Sequence, residues 1–181
     1  MCIPPLFENR GGMHKKIMKH TLVALVENEP GVLNRVASLF RRRNFNIDSL
    51  TVGRTENPNV SRMTIVLDDS VASAYQVEKN LYKLVNVISV DDVTEKRFFS
   101  RDLALIKVKA SKQVGAIADK YGARLIDHTN DMMLVEMSDE EHRVEKLIDE
   151  LRPLGIVELV RTGVVAMGQG DLVLQTDEAL V

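Results

Sequence analysis

Cysteine, tryptophan and long apolar runs are scarce or absent in this chain, and each absence excludes a class of protein. The single cysteine, Cys2, excludes an intrachain disulfide and a cysteine-rich metal site. No run of about eighteen apolar residues occurs, so we expect no membrane-spanning helix and no membrane partner. The formal net charge is only -2, which disfavours nucleic acid as a partner without excluding it. A reducing, cytoplasmic compartment fits this composition best.

Groups that could perform catalysis are also sparse. The four histidines have neither the i, i+4 spacing nor the cysteine companions of a zinc site: His14, His20, His128 and His142. Adjacent aspartates such as Asp91 and Asp92 stand at predicted strand ends, where carboxylates are usually solvated and do not form an acid pair. We therefore expect no catalytic residue, no metal and no cofactor in this chain.

The order of predicted elements, strand-helix-strand-strand-helix-strand, occurs twice. In the first unit the predicted strands are Thr21–Val26, Asn46–Val52, Arg62–Leu67 and Val87–Val90, and the helical stripes are Val32–Phe40 and Ala74–Val85. In the second unit the strands are Leu103–Ala110, Ala123–His128, Met132–Met137 and Ile156–Thr162, and the stripes are Val114–Tyr121 and Val144–Leu151. This pattern predicts an α+β fold of tandem ferredoxin-like βαββαβ units.

Four segments follow from this pattern. We predict a flexible leader over residues 1–17, a first domain over 18–96, a second domain over 97–171 and a flexible tail over 172–181. Gly168-Gln169-Gly170 lacks the strand-then-helix context of a phosphate-binding loop, so it is interpreted as part of a flexible tail.

Both faces of the first predicted sheet are apolar. Leu22, Ala24 and Val26 occupy one face of the first strand, while Val23 and Leu25 occupy the other. Two helices can cover only one face of such a sheet, so the second face is expected to be an interface. Self-association and packing between the two halves both satisfy this expectation, and a merely apolar surface is the remaining alternative.

A Pro-Gly turn follows the first strand, within Glu27-Asn28-Glu29-Pro30-Gly31-Val32-Leu33, and a helix is predicted to begin there. Free backbone N–H groups at a helix start suit an anion such as a carboxylate. With an asparagine on either side of the helix and apolar neighbours, the turn could bind a small aliphatic amino acid. It could equally be a structural turn in which Asn28 is an ordinary cap and Asn46 a strand-entry residue.

Three motifs carry a resemblance to a known family. They are Glu27 to Val36, Arg43-Asn44-Phe45-Asn46-Ile47-Asp48-Ser49-Leu50-Thr51-Val52, and Ser61-Arg62-Met63-Thr64-Ile65. Together with Leu84-Val85-Asn86-Val87 and Arg161-Thr162-Gly163-Val164-Val165, they closely resemble the regulatory (small) subunits of acetolactate synthase, also called acetohydroxyacid synthase. The resemblance runs from Met18 to about Asp171.

The resemblance implies regulation without catalysis. The first unit would be an ACT domain, a βαββαβ module that binds amino acids, and two copies would pair through their sheets as a homodimer or tetramer. The partner would be the catalytic (large) subunit, which uses thiamine diphosphate, Mg and FAD, and the effector would be valine or another branched-chain amino acid. The effector site would combine one protomer's Asn28, Pro30, Gly31, Val32 and Leu33 with Asn46 and Ile47 of the other copy.

Other functions of a βαββαβ unit are less favoured. An RNA-binding module needs exposed aromatic residues on its central strands, and Asn46–Val52 and Arg62–Leu67 contain none. A metal chaperone of this topology needs paired cysteines. A generic amino-acid-sensing ACT protein that regulates another partner remains the alternative.

Overall fold

The computed structural model describes residues 19–68 and 74–173, in which two units, each a sheet with two helices on one face, follow one another. This arrangement confirms the predicted tandem ferredoxin-like fold. The predicted leader and residues 174–181 of the predicted tail lie outside the described residues. In the described ranges, no helix is long and apolar enough to cross a membrane.

The first unit is an antiparallel sheet in the order β2-β3-β1-β4. Its elements are β1 (Lys19–Glu27), α1 (Val32–Arg43), β2 (Ile47–Arg54), β3 (Val60–Asp68), α2 (Ala74–Leu81) and β4 (Val87–Asp92). Alternation along β1 places Leu22, Ala24 and Val26 under the helices, where they form one buried core with residues such as Phe40 and Ile65.

Left-handed residues define both ends of α1. Gly31 precedes the helix at φ 88°, a backbone region that favours glycine, and no side chain caps the helix there. Asn44 follows it at φ 56°, and its N–H donates to the carbonyls of Phe40 and Arg41. The chain therefore turns sharply into Phe45, whose ring packs edge-on against Phe40 with centroids 5.8 Å apart.

The second unit repeats this architecture with strand order β6-β7-β5-β8. Its elements are β5 (Phe98–Lys109), α3 (Lys112–Tyr121), β6 (Arg124–His128), β7 (Met132–Asp139), α4 (Glu141–Leu151), β8 (Ile156–Arg161) and β9 (Val165–Gly168). A separate buried core, which includes Ile106, Val135 and Leu147, lies between this sheet and its helices.

A short ribbon of two strands extends the second unit toward the first. The amino-terminal part of β5, Phe98–Arg101, pairs with β9 in an antiparallel register that joins Phe98 to Gly168. The interpretation of Gly168-Gln169-Gly170 as a flexible tail is therefore wrong, because Gly168 closes a strand and the Gln169 N–H donates to the Arg97 carbonyl at 3.0 Å.

The ribbon covers part of the outer face of the first sheet. Val23 of that face is fully buried and packs with Val93, Ala166 and the partly buried Phe98. This small core confirms packing between the two halves as an explanation of the second apolar face.

Three residues that the helical stripes placed toward the core are exposed: Leu33, Ala37 and Val85. The helical stripe included Val85, but α2 ends at Leu81 and Val85 is 92% exposed. Successive turns, from the Lys83 N–H to the Asn80 carbonyl and from the Leu84 N–H to the Leu81 carbonyl, lead the chain away from helical periodicity. Leu84 still packs against the first core.

Candidate functional site

The Pro-Gly turn lies on the surface where β1 meets α1. Asn28, Pro30, Gly31 and Leu33 are exposed, whereas Val32 is buried in the first core and anchors the helix start. A Cβ atom at Gly31 would meet no atom within 4 Å, so the space above the turn is open. The turn can therefore be reached by a small molecule.

Backbone N–H groups at this helix start are available to an anion. Val32 donates weakly to the Glu29 carbonyl at 3.4 Å, and Arg35 donates to the Gly31 carbonyl at 3.0 Å. Among the described residues, no hydrogen bond uses the N–H groups of Gly31, Leu33 and Asn34. The available N–H groups differ slightly from those of the predicted site, Gly31, Val32 and Leu33. The Val32 N–H already makes a weak hydrogen bond, and the Asn34 N–H is available in addition.

The Asn28 side chain holds the β2–β3 turn and does not cap α1. Its Nδ2 donates to the Pro58 carbonyl at 2.8 Å, and its Oδ1 accepts from the Ser61 hydroxyl at 3.1 Å. An amide oxygen accepts two hydrogen bonds, so Oδ1 retains one acceptor position for a ligand ammonium. The alternative of Asn28 as an ordinary cap is wrong, since Gly31 is the N-cap and no side chain bonds the helix start.

Asn86 contributes a contact that the sequence pattern did not reveal. Its side chain is buried, its amide nitrogen donates to the Glu27 carboxylate, and its amide oxygen accepts from the Arg35 guanidinium. Its backbone carbonyl also accepts from the Glu27 N–H at 2.9 Å. Asn86 thereby joins the end of β1, the second turn of α1 and the α2–β4 connection, and so fixes the Pro-Gly turn between them. Only its presence in a family motif pointed to it.

Asn46 and Ile47 lie at the far end of the same unit. Asn46 is exposed just before β2, and Ile47 packs at the margin of the first core. The distance between the two half-sites follows from their partners on β3. Glu27, at the end of β1, pairs with Val60, whereas Ile47 pairs with Leu67. Seven steps along β3 at roughly 3.3 Å per residue amount to about 23 Å. Within one chain the structure does not bring the two predicted half-sites together.

The strand that begins with Ile47 is tied to the second unit. On the outer face of β2, the Ser49 hydroxyl accepts from the Val164 N–H at 3.2 Å, and the Thr51 hydroxyl donates to the Thr162 carbonyl at 3.1 Å. Gly163 approaches so closely that a Cβ there would lie 2.3 Å from Ser49 Oγ. A shift of β2 would therefore directly change the contacts of residues 162–164.

Charged groups reinforce this junction. The Lys19 ammonium lies 2.8 Å from the Asp48 carboxylate and 2.9 Å from that of Glu141 in the second unit. Burial alone lowers the pKa of Lys19, but hydrogen bonds to Asp48 and Glu141 outweigh it and raise the pKa above its ordinary value. Lys19 therefore stays charged and bridges the two units.

The described residues offer little for catalysis. Among them, no group of three or more histidine, cysteine, aspartate or glutamate side chains could hold a metal ion. Asp102, the one fully buried carboxylate in the described ranges, accepts from Arg161 Nε at 2.7 Å and forms a structural ion pair with it.

Comparison with known proteins assigns a family to each unit. Residues 22–89 match the family described as AHAS small subunit-like ACT domain, and residues 101–170 match the family described as small subunit of acetolactate synthase. The chain is 46% identical over 158 residues to the "Probable acetolactate synthase small subunit" of Archaeoglobus fulgidus, which covers 85% of this chain and 99% of that protein. It is 45% identical to the acetolactate synthase small subunit of Mycobacterium leprae over 83% of this chain and 92% of that protein.

A solved structure agrees with these relatives. The crystal structure of the small subunit of acetolactate synthase from Thermotoga maritima superposes with a TM-score of 0.77 at 34% identity, covering 86% of this chain and all of that chain. Because family models, relatives and fold all agree over both units, the chain belongs to the acetolactate synthase small-subunit family, and its first unit is an ACT domain.

Proposed function

We propose that this chain is the non-catalytic regulatory subunit of acetolactate synthase in branched-chain amino acid biosynthesis. It binds the catalytic subunit, raises its activity and makes it sensitive to feedback inhibition by valine. The thiamine diphosphate, Mg and FAD belong to the catalytic subunit, and the assembly works in the cytoplasm. The observation that carries the proposal is the position of the half-sites, which are both accessible and lie at opposite ends of one ACT sheet.

Pairing of two copies through β2 would complete the site. In the described part of the first sheet β2 is an edge strand that bonds only to β3, so its other edge is free for a second strand. If β2 pairs antiparallel with β2 of a second copy around a two-fold axis, the strands of the partner's first sheet run in the opposite direction. The Asn46–Ile47 end of one copy then approaches the Asn28–Leu33 end of the other.

The shared pocket divides its contacts by chemistry. The free amides at the start of α1 bind the effector carboxylate, and Asn28 and Asn46 bind the ammonium through their side-chain oxygens. Ile47 and neighbouring aliphatic side chains hold the isopropyl group. One methylene is worth only about 1 kcal/mol in such a pocket, so valine, leucine and isoleucine differ little in affinity.

Effector binding changes the enzyme through the dimer. A ligand that touches two protomers stabilises the pairing geometry that fits it better, by no more than its difference in affinity for the two geometries. Since β2 bonds to residues 162–164, a change in its pairing reaches the second unit.

Enzyme assays with the catalytic subunit test this proposal. We expect the wild-type chain to raise the rate of acetolactate formation and valine to reverse that increase. Gly31→Asp should preserve activation and lower valine sensitivity at least tenfold, because it adds negative charge where the carboxylate binds. Gly31→Asn is the matched control, since asparagine has the same shape, tolerates the left-handed backbone and carries no charge.

The outcomes separate the alternatives. Equal valine sensitivity in wild type and Gly31→Asp would place the effector elsewhere. A chain that binds valine but leaves the rate of the catalytic subunit unchanged would favour the alternative, an amino-acid-sensing ACT protein with another partner.

A further inference from the structure

One cavity of the described residues is lined by none of the residues predicted for the effector site. It has a volume of about 420 Å³ and is bounded by the outer face of β2 and β3 on one side and by the β5–β9 ribbon on the other. Gly53 of β2 lines the cavity, and the space beside it is open, because a Cβ there would meet no atom within 4 Å. The volume falls within the usual range for small-molecule sites.

Three arginines and no acidic residue line the cavity. Arg54 and Arg62 come from the first unit and Arg101 from the ribbon. Arg62 donates to the Ala166 carbonyl at 2.7 Å and Arg101 to the Ser100 carbonyl at 2.7 Å, yet each guanidinium has five N–H groups. In the described residues, none of the three has a carboxylate partner within 4.0 Å.

The guanidinium of Arg62 is partly buried. Burial lowers the pKa of Arg62 from its ordinary value, and the carboxylate of Glu56 only partly opposes that effect. A partly desolvated cation gains from an anion that enters the cavity.

Much of the remaining lining is apolar. In the ribbon, Phe99 pairs with Met167 and Arg101 pairs with Val165, so these four side chains share one face. Phe99, Met167 and Val165 are all exposed large apolar side chains that line the cavity. The cavity therefore offers a cationic side for an oxyanion and an apolar side for a hydrocarbon body.

We propose that this cavity binds a small aliphatic carboxylate that carries no amino group. Guanidinium groups bind a carboxylate through paired hydrogen bonds, and the apolar ribbon face holds the aliphatic part. An amino acid is disfavoured here because no carboxylate lines the cavity to neutralise an ammonium. The ligand class thus differs from the zwitterion proposed for the ACT half-sites.

Titration of the full ¹⁵N-labelled chain with 3-methylbutanoate, followed by NMR, tests this inference. The probe has the carbon skeleton of valine without its ammonium. We expect saturable shifts at Gly53, Phe99 and Met167, and no displacement by valine. The double variant Arg54→Gln with Arg101→Gln should weaken binding at least tenfold, whereas Arg42→Gln, which removes an exposed charge at the end of α1, should leave it unchanged.

Filling the space provides an independent variant. Gly53→Val adds a side chain to the cavity at an extended strand position that suits a β-branched residue, so it should abolish binding while thermal stability is kept. Absence of saturable shifts, displacement by valine, or binding that survives both variants would overturn the inference. Inorganic phosphate bound as tightly as 3-methylbutanoate would also overturn it, because the apolar body would then be irrelevant.

Discussion

Gly163 joins the two units at close range, and Gly163→Ala should loosen that junction. The residue has φ 78°, and an alanine Cβ would lie 2.3 Å from Ser49 Oγ and 3.0 Å from Thr51 Oγ1. Two hydrogen bonds, Val164 N–H to Ser49 and Thr51 to the Thr162 carbonyl, depend on this approach. Alanine must therefore strain its backbone and displace both hydroxyls.

The expected loss of stability follows from these contacts. An L-residue in the left-handed region costs about 1 kcal/mol relative to glycine. Losing the two hydrogen bonds costs about 0.5–1.5 kcal/mol each. We therefore expect the free energy of unfolding to fall by about 2–4 kcal/mol.

Urea unfolding followed by circular dichroism measures this change. Gly122→Ala is the matched control, because Gly122 has φ 68° with no atom within 4 Å of an added Cβ, so it should lose only about 1 kcal/mol. Adding Ser49→Ala to Gly163→Ala removes the closest clash and should recover part of the loss. Equal destabilisation by Gly163→Ala and Gly122→Ala would refute the close packing of Gly163 on β2.

Two further predictions concern the second unit. Arg161→Ala should destabilise the chain by about 3 kcal/mol because it leaves the fully buried Asp102 without its cation, whereas Arg152→Ala, in an exposed ion pair, should cost less than about 1 kcal/mol. Urea midpoints compare the two, and equal shifts would contradict the role of the buried pair. A hydrogen bond to Glu150 and burial raise the pKa of the Tyr121 phenol, so Glu150→Gln should lower it toward its ordinary value in an ultraviolet pH titration. This stabilising contribution is present below about pH 10 and is lost as pH rises through the raised pKa; an unchanged titration would refute it.

Local patterns were sufficient for most of the fold. Alternation in β1 and the helical stripe from Val32 to Phe40 predicted the core face, because side-chain periodicity reports directly which face is buried. β9 was missed because it is only four residues long and ends in a glycine-rich segment, so it shows no periodicity of its own. Its pairing with Phe98–Arg101 is a tertiary contact that no local pattern records.

The candidate site was only partly predictable from the sequence. The turn at Gly31 could be located because a Pro-Gly pair before a helix has few conformations. The separation of Asn28 and Asn46 within one chain follows from topology, since a strand, a helix and a second strand in sequence place the end of β1 and the start of β2 at opposite ends of the sheet. Asn86 and the Arg54–Arg62–Arg101 cavity depend on long-range packing and could not be inferred from spacing.

Complementation between defective copies tests most directly whether the effector site is shared. Gly31→Asp damages one half-site and Asn46→Lys the other, and both positions are exposed. Each variant dimer alone should bind no valine, whereas a hybrid dimer, purified through two different affinity tags, contains one undamaged site and should bind valine at about half the wild-type stoichiometry. A hybrid that binds no valine would contradict the account, because it would place both half-sites in the same chain.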